Sequence, residues 1–449
     1  MTTDTEMHIA MLTAESDTRR REANALAVER MLTADPYLVD VAPARDVVPG
    51  MTDATILTSG APLRWEEYTG GQRRSVLNAA VYEGLADSVQ GAETAIAAGQ
   101  ITVRSTQQHQ CVGSVAGIYT ASMPVLVVEE RTFGGKSFCN LYEGQSRYKL
   151  NYGAYDEEVR AGLQWLEATM GPVLADALKL TGPIPLKPMM ARALRLGDEL
   201  HSRNTAGTLL FERELTPAFT QLMGTSKADA VAQVAAFFRD NDYTFLRMSM
   251  AAAKAMADAA HGVAASSLVT GMVVNCQSFA IRVSGMGDQW FTGAHPQLDG
   301  RFFDDFGPDD AEWIGGESCF TEVVGLGGFA QAAAPALQAY QGGSYEQMRD
   351  NNCAMYEIAV AEHPDFRIPA LDFRGSPVGI DVVEVLKWRR TPMIDGGLAG
   401  RGGGQIGAGL LIPDLEAFQN AFDAYRAAHD CASDSAASPN AMSGEEGRR

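Results

Sequence analysis

The feature that most limits how this 449-residue chain can fold is its middle. Residues 155–262 are compatible with helix almost throughout, and glycine-punctuated, strand-like runs lie on both sides of them. Strand runs and helix runs segregated along a chain give an α+β fold. The expected architecture is therefore α+β and multidomain, with mixed sheets and a mostly helical middle segment. Upstream, residues 19–33 have helical spacing, with Ala23, Leu26, Ala27 and Met31 on one face. Residues 38–41 and 55–57 read as short strands, with Pro43, Pro49 and Gly50 between them. Residues 71–99, rich in Ala, Glu and Leu, read as helix. Residues 101–103, 125–128 and 137–141 are β-like, with glycines at 113, 117, 134, 135 and 144. Pro183, Pro185 and Pro188 break the helical middle, and residues 225–229 carry a helix start. Strands and glycine turns return over 265–330. A helical pattern follows near 331–361, then strands at 378–385 and 406–412, then a helix over 413–429. These transitions divide the chain into a small α/β unit (1–70), an α+β segment (71–154), a helical segment (155–262), a glycine-rich α+β domain (263–431) and a disordered tail (432–449).

The formal net charge is −20, from 36 Lys and Arg against 56 Asp and Glu. Such a surface repels polyanions, and no Lys/Arg-rich run offers an exception, so nucleic acid is excluded as a partner. No apolar run approaches the ~20 residues a bilayer span requires. The start, Met1 to Glu6, lacks the basic and apolar regions of a signal peptide. A cytoplasmic location without membrane contact is expected. Cysteines at 111, 139, 276, 319, 353 and 431 form no CxxC pair, which points to reduced thiols.

Four polar clusters carry candidate chemistry. The densest is Gly197-Asp198-Glu199-Leu200-His201-Ser202-Arg203-Asn204. On a helix, Asp198, His201 and Ser202 would share a face, and a carboxylate beside an imidazole sets its tautomer and basicity. The spacing differs from HExxH, so a zinc helix is unsupported. The second cluster runs from Arg282 to Asp288 after an apolar strand, where turn N–H groups and an arginine can hold an anion. A plain hairpin with a surface salt bridge is the alternative. The third holds Glu317, Cys319 and Glu322, then Gly325-Leu326-Gly327-Gly328-Phe329 leading into an Ala-rich helix; a glycine loop at a helix start suits an anion. The fourth spans 396–409, where eight of fourteen residues are glycine. It contains GxGxxG at 402, 404 and 407, but a strand follows instead of a helix, which argues against a dinucleotide site. A flexible anion-binding loop with Arg401 and Gln405 fits better, against a mobile hinge. His109 is a further candidate beside Gly113.

In order along the chain, these segments resemble the YahG/YlbE-like family, which includes the AllG-type subunit of oxamate carbamoyltransferase. The resemblance covers roughly residues 20–425. It runs through Val48-Pro49-Gly50-Met51, Pro62 to Trp65, Tyr82-Glu83-Gly84-Leu85-Ala86, Ser122-Met123-Pro124-Val125 and Asn140-Leu141-Tyr142-Glu143-Gly144. It continues through Gly197-Asp198-Glu199 with His201 and Arg203-Asn204, then Trp290-Phe291-Thr292, Gly325 to Phe329 and Gln405 to Gly409. The resemblance implies carbamoyl transfer between a ureido acid and phosphate, without a redox cofactor, in an oligomeric assembly with an FdrA-like partner subunit. This sequence departs from the family pattern at several polar positions. A usual His is missing from residues 57–62, a His-rich segment is reduced to Gln107-Gln108-His109-Gln110, an Ala-His-Lys is Ala399-Gly400-Arg401, and an Asn is Ser202. Polar positions set substrate choice, so a diverged substrate is part of the expectation.

The expected enzyme acts on a small ureido or amide carboxylate. His201 would be the general acid/base, oriented by Asp198 or Glu199. Arg203, Asn204, Arg282, Arg401 and Gln405 would bind substrate carboxylate or phosphate, with Asp288, Glu317, Glu322 and His109 as further contacts. Hydrolysis of a related ureido acid and a non-catalytic, metabolite-binding subunit remain the alternatives.

Overall fold

The computed structural model describes residues 12–429. The tail expected at 432–449 and the first residues of the chain lie outside them. The fold is α+β and multidomain, with several small sheets. One contiguous apolar interior nevertheless runs from Ala27 to Phe422.

The N-terminal helix, Ala14–Thr33, starts where Thr13 accepts the Ser16 N–H and Glu15 and Asp17 occupy the first turn. A five-stranded mixed sheet follows in the order Cys111–Val112, Lys136–Asn140, Pro124–Glu130, Pro36–Pro43, Ile184–Pro185. Its central strands pack on the helix Leu246–Ala259, which is buried on every face up to Ala257. The polar side chains buried along this helix are paired: Arg247 donates to Asn140, Ser249 to the Leu200 carbonyl and Lys254 to Asp258. The pair Thr55–Thr58 and Thr102–Ser105 is parallel. Parallel strands need a crossover, and the helices Gly70–Tyr82 and Val89–Ala97 supply it. Three antiparallel sheets complete the C-terminal part, one of them the pair Ala359–Ile368 with Arg374–Ile380; the other two have three strands each. One orders Trp290–Gly293, Phe279–Val283 and Val269–Val274; the other orders Gln297–Phe302, Gln405–Ile412 and Ile394–Ala399.

Four expectations need correction. Residues 197–204 form a turn, not a helix, with φ positive at Gly197 and Leu200. The cause is local: Glu199 accepts the Ser202 and Arg203 N–H groups, and Asp198 Oδ2 accepts the Gly207 N–H at 2.7 Å. Side chains that satisfy nearby backbone compete with helix. The apolar run 378–385 splits. Its strand, Arg374–Ile380, ends at Asp381, whose carboxylate caps the helix Val382–Trp388 at the Val383 N–H. The helical pattern of 331–361 is broken at Pro335 and Gly342-Gly343 into the helices Leu337–Gln341 and Tyr345–Ala354, and a strand begins at Ala359. Finally, residues 396–409 are not one flexible loop. They lie in two paired strands joined by a turn at 400–404. Glycine there permits close approach: a Cβ on Gly407 would lie 2.6 Å from the Arg301 carbonyl oxygen.

Among the described residues no helix is long and apolar enough to cross a membrane. Cys111, Cys139, Cys276, Cys319 and Cys353 are free thiols.

Candidate functional site

Two adjoining cavities share Tyr243 and Gln405 in their walls. The smaller, of about 400 Å³, is lined by His201, Ser318, Cys319, Asp395 and the glycines 315, 316, 396 and 397. The larger, of about 900 Å³, is lined by Ser202, Arg203, Asn204, Arg147, Lys149 and Arg401.

His201 sits in the wall of the smaller cavity with both ring nitrogens engaged. Its Nδ1 lies 2.7 Å from Glu322 Oε1, and its Nε2 lies 2.7 Å from Ser318 Oγ. A carboxylate only accepts, so Nδ1 carries the proton and donates, and Nε2 is left to accept from the Ser318 hydroxyl. The orienting carboxylate is thus Glu322, from the third sequence cluster, and not Asp198 or Glu199. Glu322 is fully buried and also accepts the N–H groups of Gly328 and Asp395, each at 3.0 Å, and the Thr321 hydroxyl. Burial opposes charging of His201, but Glu322 outweighs it and the net shift is upward.

Asp395 is a second titratable group in the wall of this cavity. Its Oδ1 accepts Gln331 and Gln341 side-chain amides at 2.7 and 2.8 Å. Its Oδ2 is buried without a hydrogen-bond partner. Burial, reinforced by Glu322, raises Asp395 to about 6 despite the two amide donors. Cys319 is a poor nucleophile here. Its thiol donates to the Met272 carbonyl at 2.8 Å, and burial lifts it well above the usual range.

The remaining candidates separate by place. Asp198 and Glu199 point into the turn as described. Burial raises Asp198 to about 6 and Glu199 well above the usual carboxylate range. Arg203 reaches Asp198 at 3.6 Å and the Gly197 carbonyl at 3.1 Å. Asn204 Nδ2 donates to the His201 carbonyl, while its buried Oδ1 has no partner. Gln405 donates to Tyr340 and to the Gly407 carbonyl. Arg401 donates to the Asp309 carbonyl at the rim. Glu317 is buried beneath Ser318 and accepts four donors: the N–H groups of Gly60 and Gly113, the Thr106 hydroxyl and the Gln107 amide.

Arg282, Asp288 and His109 line neither cavity. Arg282 lies in a hairpin strand and donates to Asp258 at 2.5 Å and to the Thr270 carbonyl. Burial alone would raise Asp258, but Lys254 and Arg282 together hold it at about 2. Asp288 is fully exposed, and His109 meets the Pro49 carbonyl at 2.7 Å. Sequence reasoning missed Ser318, Asp395 and Tyr243. Ser318 and Glu322 have i, i+4 spacing, which was legible, but the imidazole that joins them lies 117 residues from Ser318.

A family model described as Oxamate carbamoyltransferase subunit AllG matches residues 101–318. Uncharacterized protein YahG of Escherichia coli (strain K12) is 40% identical over 401 residues, covering 89% of this chain and 84% of that protein. Oxamate carbamoyltransferase subunit AllG of the same strain is 36% identical over 408 residues, covering 90% and 97%. The chain belongs to the YahG/AllG-like family. A solved structure shares this fold. The crystal structure of a conserved protein of unknown function from Enterococcus faecalis V583 matches with a TM-score of 0.89 and 38% identity, over 92% of this chain and 99% of that one. Family membership links the chain to a subunit of a carbamoyltransferase.

Proposed function

We propose that this chain carries a carbamoyl-transfer site working between a small ureido acid and phosphate, as the name of its AllG relative suggests. The observation that carries the reading is the junction of two unlike cavities. The smaller offers a proton shuttle and an unpaired carboxylate oxygen. The terminal NH₂ of a ureido group is a double donor, and Asp395 Oδ2 is a buried acceptor lacking one. His201 Nε2 gives or takes the proton of the nitrogen that leaves or attacks.

The larger cavity suits the anions. Arg147, Lys149, Arg203 and Arg401 line it beside Asp242, Asp304, Asp305 and Asp310. Four cations against four carboxylates make this wall locally neutral in a chain of net charge −20. Lys149 faces the rings of Tyr142 and Tyr152, and Arg147 that of Tyr148, so neither spends its charge on a carboxylate among the described residues. Burial lowers the Lys149 pKa, a cost that a bound anion would offset. Arg203, Arg401 and Lys149 hold phosphate or carboxylate, with Asn204 beside them, and Gln405 stands where the cavities meet. Arg282 and Glu317 serve the scaffold.

The test is turnover of ureido acids by the full chain, alone and with an FdrA-like partner subunit, with and without inorganic phosphate. Carbamoyl phosphate formed only with phosphate is the expected result. Equal consumption without phosphate would make the chain a hydrolase. No turnover in either setting would reduce it to a binding subunit.

A further inference from the structure

Resting on that reading, we infer that Ser318 is a nucleophile and that the carbamoyl group is carried on its Oγ between the two half-reactions. The linear arrangement Ser318 Oγ, His201 Nε2, His201 Nδ1, Glu322 Oε1, with both gaps at 2.7 Å, is the geometry in which an imidazole activates a hydroxyl. Neither neighbour competes for the role. Glu317 is occupied by four donors, and the Cys319 thiol is committed to Met272. Ser318 is partly open to the cavity, while His201 behind it is 3% exposed. A reactant entering from the cavity therefore meets the hydroxyl before the ring.

The wall around Ser318 favours a close approach. Gly315 and Gly316 precede it with φ of +128° and +152°, and a Cβ on Gly315 would lie 2.5 Å from Ser59 Oγ. Gly396 and Gly397 line the same cavity. Backbone, instead of side chain, forms much of the surface against which a planar carbamoyl group would rest.

The steps balance without any further co-reactant. Ser318 Oγ attacks the terminal carbonyl carbon of the ureido acid, and its proton moves to His201 Nε2. The C–N bond to the rest of the ureido acid breaks, and His201 returns that proton to the departing nitrogen, which leaves as the free amide. A carbamoyl ester remains on Ser318. An oxygen of hydrogen phosphate then attacks the ester carbon and gives its proton to His201. The Oγ–C bond breaks, Ser318 recovers the proton, and carbamoyl phosphate departs. Glu322 keeps its proton count unchanged and stabilises the imidazolium in each half.

The experiment uses 4-nitrophenyl carbamate, a carbamoyl donor with a good leaving group, on the full chain. The expected result is a burst of nitrophenol equal to the chain concentration and one carbamoyl group on the peptide bearing Ser318, removed on adding inorganic phosphate. Ser318→Ala should show neither, and His201→Ala should slow the burst by ~10²-fold or more. No label on wild type, or label on another residue, overturns the inference. So does ureido-acid turnover by folded Ser318→Ala at the wild-type rate, and that result leaves carbamoyl transfer standing as a direct displacement. Label on Ser318 in a chain that turns over no ureido acid would keep the nucleophile and sink the substrate reading.

Discussion

Gly327 stands where one methyl group decides the state of the site. Its φ is +56°, and a Cβ there would overlap Glu322 Oε1 and come within 3.1 Å of His201 Cβ. Gly327→Ala is expected to push the carboxylate off His201 Nδ1. The ring would lose its fixed tautomer, and kcat should fall by about 10²-fold, the usual worth of a positioned acid/base. The chain should still fold, because the strain is confined to one residue and costs roughly 1–3 kcal/mol. Steady-state kinetics and a thermal melt check both halves. A folded variant with unchanged kcat would detach Glu322 from the chemistry. The same residue marks what sequence could say about the site. Gly325-Leu326-Gly327-Gly328-Phe329 stood out as a glycine segment, and Glu322 and His201 stood out as titratable groups. That the glycine exists to make room for the carboxylate on the imidazole required the fold.

Among the elements, those set by local signals were legible and those set by competition were not. The helix expected over 19–33 is observed as Ala14–Thr33, and the strand expected over 406–412 as Gln405–Ile412. Helical period and the Thr13 cap decided the first, and an apolar run stopped by Pro413 decided the second. The run 378–385 misled because Val383 and Val385 suit a strand, while one Asp381 side chain capping the Val383 N–H makes a helix of the second half. The turn at 197–204 misled because Asp198 and Glu199 looked like functional carboxylates, and each satisfies backbone. The hairpin of 394–412 is intermediate: its strands carry the glycines for packing, and its turn faces the larger cavity. At that turn, Gly403 has φ of +94°, and a Cβ would lie 2.6 Å from Ala154 Cβ. Its carbonyl also accepts the Lys149 N–H at 3.3 Å. Gly403→Ala should separate the turn from the segment bearing Arg147 and Lys149. We expect KM for phosphate to rise severalfold with kcat at saturation preserved, and stability to fall by about 1–3 kcal/mol from the strained backbone. Urea unfolding gives the second quantity. The stability loss with an unchanged KM would remove this turn from the anion cavity.

For the whole molecule, the site depends on contacts between distant parts of the chain. Arg20 of the N-terminal helix is buried against Asp381, and Ser267 and Asn24 join the same network. Nearer the chemistry, Glu317 joins Gly60, Thr106, Gln107 and Gly113 to the residue before Ser318, across sequence separations of 204 to 257. Burial raises the Glu317 pKa, and those donors pull it back. Its carboxylate accepts from residues just after the parallel strands and from Gly113, just after the strand Cys111–Val112. Glu317→Gln keeps the shape and replaces one acceptor oxygen by an NH₂. Gly113 N–H donates to Oε2, whereas Gly60, Thr106 and Gln107 all donate to Oε1. The amide will therefore keep its oxygen toward the three and turn its NH₂ toward Gly113. One buried N–H facing another donor costs roughly 1–3 kcal/mol, so the urea midpoint should fall without a change in slope. The site should feel it too. A shift of about 1 Å in a reacting group can cost ~10²-fold in rate, so kcat should drop while KM for phosphate, set in the other cavity, stays near the wild-type value. A variant equal to wild type in both stability and kcat would mean that the Gly113 segment can yield, and that Ser318 is held by His201 alone.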